Sequence, residues 1–276
     1  MKKYVFFRCL VSALSLTASV AHTIAHADPA VPDYKLPNAQ TLADTPEGDA
    51  IRRGKLLLSE TKQKLPMYAG NGLNCSNCHL GIGTVPYASP WVGLAGVFPE
   101  YRARSGKLIS LQERINDCFQ RSLNGKALPY DSTEMNDMLS YMRWISAGLP
   151  IGSSVPGRGF VKIDAHLKPD LKHGEKIYTN QCAACHGVHG EGLSNQQGGY
   201  VFPPLWGKDA FNNGAGMARL YTAAAFVKQN MPLGQAGTLS AQDAVDVAAF
   251  FTQQDRPDFP DRVHDWPKGQ KPVDAR

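Results

Sequence analysis

The pentapeptide CSNCH, residues 75–79, recurs as CAACH at residues 182–186. Two thiols at C-x-x-C spacing can add to the two vinyl groups of one haem, and the histidine that follows can offer its imidazole to the iron. The two motifs together predict two covalently bound haem c groups, held by Cys75 and Cys78 and by Cys182 and Cys185, with His79 and His186 as iron ligands. A zinc site would need two further Cys or His ligands at set spacings. A thioredoxin-like redox pair would have no use for the trailing histidine.

Working outward from the motifs, the chain reads as a degenerate repeat. GDAIRRGKLLLSE, residues 48–60, precedes the first motif, and DLKHGEKIYTN, residues 170–180, precedes the second. Each unit closes on a helical pattern. Met135, Met138, Leu139 and Met142 fall at i, i+3, i+4 and i+7, and Ala244, Val247, Ala248 and Phe251 do the same. Ser240 and Asp243 suit a capping box for the second closing helix. A helix, a haem motif, irregular chain and a closing helix predict an all-α protein of two cytochrome c-type haem domains. The first spans 28–150 and the second 164–276. The Gly-, Pro- and Ser-rich run GLPIGSSVPGRGF, residues 148–160, marks a linker, placed at 151–163.

Lys2, Lys3 and Arg8, a short apolar run and Ala25-His26-Ala27 describe a signal peptide over residues 1–27, cleaved near Ala27. The expectation is a periplasmic protein. No later stretch is apolar for the ~20 residues that a membrane span takes. Cleavage removes three positive charges and no acid, so the net charge falls from +5 to +2. That balance gives no reason to expect nucleic acid as a partner.

The axial ligands across the haems differ between the units. KQNMPLG offers Met231, 45 residues after His186, before a proline; Met217 is its rival in a Gly-rich loop. The first unit has no Met-Pro loop, and Met135, Met138 and Met142 read as core. With Cys9 leaving in the signal peptide, Cys118 is the one cysteine outside both motifs. It lies in ERINDCFQRSLNG, residues 113–125. Ser110 and Glu113 suit a capping box, and Asn124-Gly125 a stop. Arg114, Cys118 and Ser122 share one stripe, and Leu111, Ile115, Phe119 and Leu123 the apolar stripe beside it. The helix could therefore present a thiol to the first iron, with an arginine one turn before it and a hydroxyl one turn after. The competing readings are an inert buried thiol and a solvated helix face. A thiolate ligand lowers a haem potential and methionine raises it. The arginine fork suits an oxyanion.

ERINDCFQRSLNGKALP, with YRARSGK, the CxxCH pair and NMP, resembles the dihaem thiosulfate dehydrogenases over most of the mature chain. The resemblance implies oxidation of two thiosulfates to tetrathionate, reversible in some members, with two electrons passed to a separate periplasmic partner such as a cytochrome c. It implies Cys118 as the axial ligand of the active-site haem, moving off the iron in turnover and able to carry a sulfur adduct. Arg114 and Ser122 would hold substrate. Where some members place a lysine ligand beside the methionine, this chain has Asn230. Arg102, Arg104 and Lys126 are further basic residues without a matched role. Two other functions share parts of this pattern, a dihaem electron carrier and the haem subunit of a multi-protein thiosulfate-oxidising complex.

Overall fold

A computed structural model describes Met1, residues 34–153 and residues 155–275. The signal peptide and its cleavage point lie outside the described residues, Met1 apart. Six helices of seven or more residues carry the fold: α1 (Pro46–Ser59), α2 (Leu111–Arg121), α3 (Thr133–Trp144), α4 (Leu171–Ile177), α5 (Leu220–Asn230) and α6 (Ala241–Thr252). Two short antiparallel hairpins accompany them, β1 (Glu100–Arg102) with β2 (Lys107–Ile109), and β3 (Leu193–Ser194) with β4 (Tyr200–Phe202). Neither hairpin is legible in the sequence, because strands of two or three residues carry too little alternation to show. Among the described residues, no helix is long and apolar enough to cross a membrane.

The internal repeat is visible in how the units close. α1 crosses α3, and α4 crosses α6. At the first crossing a Cβ on Gly54 would lie 1.9 Å from the Asp137 carbonyl oxygen; at the second, one on Gly174 would lie 2.1 Å from that of Asp246. Only glycine permits backbones this close. The residue before each glycine reaches the same aspartate. Arg53 donates to both Asp137 carboxylate oxygens at 2.7 and 2.9 Å. His173 Nδ1 lies 2.8 Å from Asp246 Oδ2.

These equivalent pairs differ in their response to pH. The hydrogen bond to Asp246 raises the His173 pKa above its ordinary value. A raised pKa means that the pair's contribution is full below the unfolded value of about 6.5 and is lost as pH rises through the folded one. His173→Ala should therefore lower the melting temperature most near about pH 5 and least in alkali. Arg53→Ala should cost the same across that range. A histidine deficit that does not change with pH would assign the loss to ring packing.

The apolar core forms two clusters. One gathers Leu58, Phe119, Met135, Met138 and Ile145; the other gathers Tyr178, Ala223, Val245, Val247 and Phe251. The methionines of the first closing helix are core, as expected. The clusters do not divide at the linker, since Phe211, Ala215 and Ala218 pack into the first. Met217 packs against both. The linker lies against the first unit, with Gly157 and Gly159 carbonyls accepting from Tyr87 and Ser89 amides at 2.6 and 2.8 Å.

Candidate functional site

The helix that carries Cys118 is held at both ends. Ser110 caps α2 by accepting from the Glu113 amide at 3.1 Å. The reciprocal half of the expected capping box does not appear. The Glu113 carboxylate pairs instead with Lys107 at 2.6 Å, drawn away by the hairpin strand beside it. At the other end Asn124 takes the left-handed turn, φ 50°, that stops the helix. The carbonyls left over there are met from the second half of the chain. Asn212, 1% exposed, donates its side-chain amide to Gln120 O at 2.9 Å, and its backbone amide to Arg121 O at 3.2 Å. Orphan carbonyls at a helix end need such partners when buried.

The apolar stripe of Leu111, Ile115, Phe119 and Leu123 is buried as expected. Its neighbour stripe faces a cavity of about 1030 Å³. Cys118, Arg114 and Ser122 line it, together with Cys78 and His79. The structure thus brings the first motif and the α2 stripe to one chamber. Arg114 Nη1 donates to Cys118 Sγ at 3.0 Å. The charge of that sulfur is the main reason the Arg114 pKa is raised.

The first motif is anchored by the turn after α1. The Cys75 amide donates to Thr61 Oγ1 at 3.1 Å, and the Lys62 amide to Asn74 Oδ1 at 2.9 Å. His79 Nδ1 sits 2.6 Å from the Ser89 carbonyl and donates to it, which leaves Nε2 as the lone-pair atom. Ser89 is itself in the left-handed region, φ 51°, held by the linker's Gly159. The linker therefore positions a histidine through one loop residue, which Gly/Pro content alone does not reveal. Burial lowers the His79 pKa to about 4, so its ring is neutral. Burial likewise pushes the Cys75 and Cys78 thiols up to about 12.

A second cavity, about 500 Å³, is lined by Cys182, Cys185, His186 and Met231. His186 Nδ1 donates to the Pro203 carbonyl at 2.8 Å, again freeing Nε2. Asn230 is committed elsewhere, donating to Phe226 O at 3.0 Å and to Tyr87 O of the first unit at 3.3 Å. Met217, the rival to Met231, stands in the wall between the cavities, where Cys78 and Phe226 also line both. The donor sets fit haem c: each motif brings paired thiols and a neutral oriented imidazole, and each cavity a further sulfur donor, Cys118 in the first and Met231 in the second. Among the described residues no three His, Cys, Asp or Glu side chains gather to hold a bare metal ion.

The sequence reading missed the chain beyond α6. Residues 259–268 return to the first unit and wall its chamber with Phe259, His264, Asp265 and Trp266. Asp265 pairs with Arg104 at 2.8 Å and with Arg121 at 2.8 Å. The Trp266 amide donates to Arg104 O at 2.7 Å. Nothing in the spacing of Asp265 pointed to either arginine. Lys126 does not join the set of chamber residues.

Known families match the two halves of the chain separately. A family model described as the SoxA/TsdA cytochrome c domain matches residues 67–151, and one described as cytochrome c oxidase, cbb3-type, subunit III matches 169–251. The chain thus holds two cytochrome c domains, each of a kind that binds haem c. It is 49% identical over 245 residues to the thiosulfate dehydrogenase of Psychrobacter arcticus, covering 89% of this chain and 75% of that protein. It is 47% identical over 247 residues to the thiosulfate dehydrogenase of Allochromatium vinosum, covering 88% and 92%. The solved thiosulfate dehydrogenase (TsdBA) of Marichromatium purpuratum, in its "as isolated" form, superposes with a TM-score of 0.78 at 35% identity. That match covers 82% of this chain, which spans half the length of the other.

Proposed function

The chain belongs to the thiosulfate dehydrogenase family, and on that premise we propose that it oxidises two thiosulfates to tetrathionate in the periplasm. It is an oxidoreductase acting on sulfur donors; the finer reading rests above all on Cys118, whose sulfur faces the first chamber with Arg114 at 3.0 Å. Cys75 and Cys78, and Cys182 and Cys185, would attach two haems, with His79 and Cys118 on the first iron and His186 and Met231 on the second. Haem, when bound, supplies a one-electron acceptor at each site.

The chain's own residues account for the rest. The reaction joins two dianions. At 4 Å their repulsion is about 4 kcal/mol even in bulk water, and it grows as the site dries. Arg114 offsets that charge and donates to the Cys118 sulfur; Ser122, one turn on, offers a hydroxyl to a sulfonate oxygen. The Cys118 thiolate bonds the terminal sulfur of one thiosulfate, and two electrons leave. The second thiosulfate attacks that outer sulfur, forms the new sulfur–sulfur bond and releases the thiolate. Charge balances at each stage, and the net reaction is two thiosulfates to one tetrathionate and two electrons. The wall shared through Cys78, Met217 and Phe226 keeps the two redox sites adjacent. An electron partner such as a separate cytochrome c takes the electrons, or returns them in the reverse direction.

The test is thiosulfate-dependent ferricyanide reduction by purified holo-protein, with tetrathionate assayed as product. Inactivity with both haems intact would indicate an electron carrier or a subunit awaiting its partner. Arg114→Ala should lower kcat/KM by about 10- to 100-fold, the value of one hydrogen bond to a charged group. Arg114→Lys should recover only part, because an ammonium cannot reproduce the fork. Kinetics unchanged in Arg114→Ala would remove this residue from the site.

A further inference from the structure

Six arginines line the first chamber: Arg102, Arg104, Arg114, Arg121, Arg158 and Arg219. Five have evident partners. Glu100 holds Arg102 at 3.1 Å and Arg158 at 3.0 Å. Asp265 holds Arg104 and Arg121. Arg114 is on Cys118. Among the described residues, Arg219 pairs with no carboxylate, and its Nε is buried with no hydrogen-bond partner. A buried guanidinium donor left unmatched is costly, so an anionic group at this position is favoured.

Its surroundings agree. Arg219 is the N-cap residue of α5, and Thr222 in the first turn also lines the chamber. The N-terminus of that helix is already met by an acid, the Tyr221 amide donating to Asp274 Oδ2 at 2.8 Å, so the arginine is the group there still without one. Arg219 is near enough to Arg104 for its charge to help lower the Arg104 pKa, behind the larger effects of burial and Arg121. This concentration of positive charge is not matched by the chamber's own acids. The chamber also has about twice the volume of the second cavity, although each fits the same kind of group.

We propose that Arg219 anchors the sulfonate of the second thiosulfate, and so the far end of tetrathionate, while Arg114 serves the first. The proposal rests on the tetrathionate-forming reading above. It gives each dianion one arginine free of any carboxylate, on chain segments from different domains.

Tetrathionate binding to the fully oxidised holo-protein tests it, because no electrons are then present to reduce the ligand. Calorimetry should show Arg219→Gln binding tetrathionate about 10- to 100-fold more weakly than wild type. The thiosulfate KM should rise in step, with haem spectra and melting temperature unchanged. Arg219→Lys should fall between the two, and it carries the test if the Gln variant folds poorly. Wild-type affinity in both variants, from a preparation that forms tetrathionate, overturns the proposal and leaves the function standing. A wild type that oxidises thiosulfate without forming tetrathionate overturns both.

Discussion

Cys118→Gly should yield a folded protein with two haems and almost no thiosulfate oxidation, a fall on the order of a thousandfold or more. The fold should survive because Cys118 is only partly buried, while Phe119 and Ile115 carry the packing of α2. Glycine within a helix costs about 1 kcal/mol, so Cys118→Ala is the cleaner companion. Activity should fall equally in both, since each removes the sulfur that Arg114 faces. The spectrum of the first haem should change and that of the second should not. Haem content, spectra and thiosulfate-dependent ferricyanide reduction measured together check every part of this. A variant that works at the wild-type rate would place the chemistry away from Cys118, whatever its ligand role.

Local devices explain what could be read in advance. The C-x-x-C-H spacing and the i, i+4, i+8 placement of Arg114, Cys118 and Ser122 are properties of a few consecutive turns. A helix brings such residues to one face whatever surrounds it. The apolar stripe beside them could be assigned for the same reason. What escaped the sequence reading depends on distant chain meeting that helix. Asn212 caps its end from 92 residues away, and Asp265 reaches Arg121 from 144 residues away. Neither contact leaves a periodicity. Glu113 shows the same limit at short range, because a strand lysine outcompeted the local capping bond. The equivalence of Arg53 with His173 could not be seen either, since it rests on geometry shared by two different side chains.

The second large effect concerns the returning tail. Asp265→Ala should destabilise the protein by about 3–5 kcal/mol, the usual result of removing one partner from a buried ion pair. The Asp265 side chain is 5% exposed, against 15% for Arg121 and 25% for Arg104. Burial and the charge of Arg121 already lower the Arg104 pKa, while Asp265 works to restore it. Without the carboxylate, two guanidiniums would face one another with the Gly214 carbonyl as a shared acceptor, at 2.6 Å from Arg104 and 3.3 Å from Arg121. For a chain of this size each kcal/mol moves the melting temperature by about 2–4 °C, so the drop should be about 6–20 °C. Arg143→Ala provides the contrast. Its pair with Glu47 is largely exposed on both sides and should cost no more than about 1 kcal/mol. Asp265→Ala should also lose thiosulfate turnover, because Phe259, His264 and Trp266 form the chamber wall beside it. Melting within a degree or so of wild type would show that the tail is not fastened by this carboxylate. Loss of turnover with stability retained would instead assign Asp265 to orienting Arg104 and Arg121 within the chamber. The combined loss is expected because one carboxylate both fastens the tail and fixes the two arginines it pairs with.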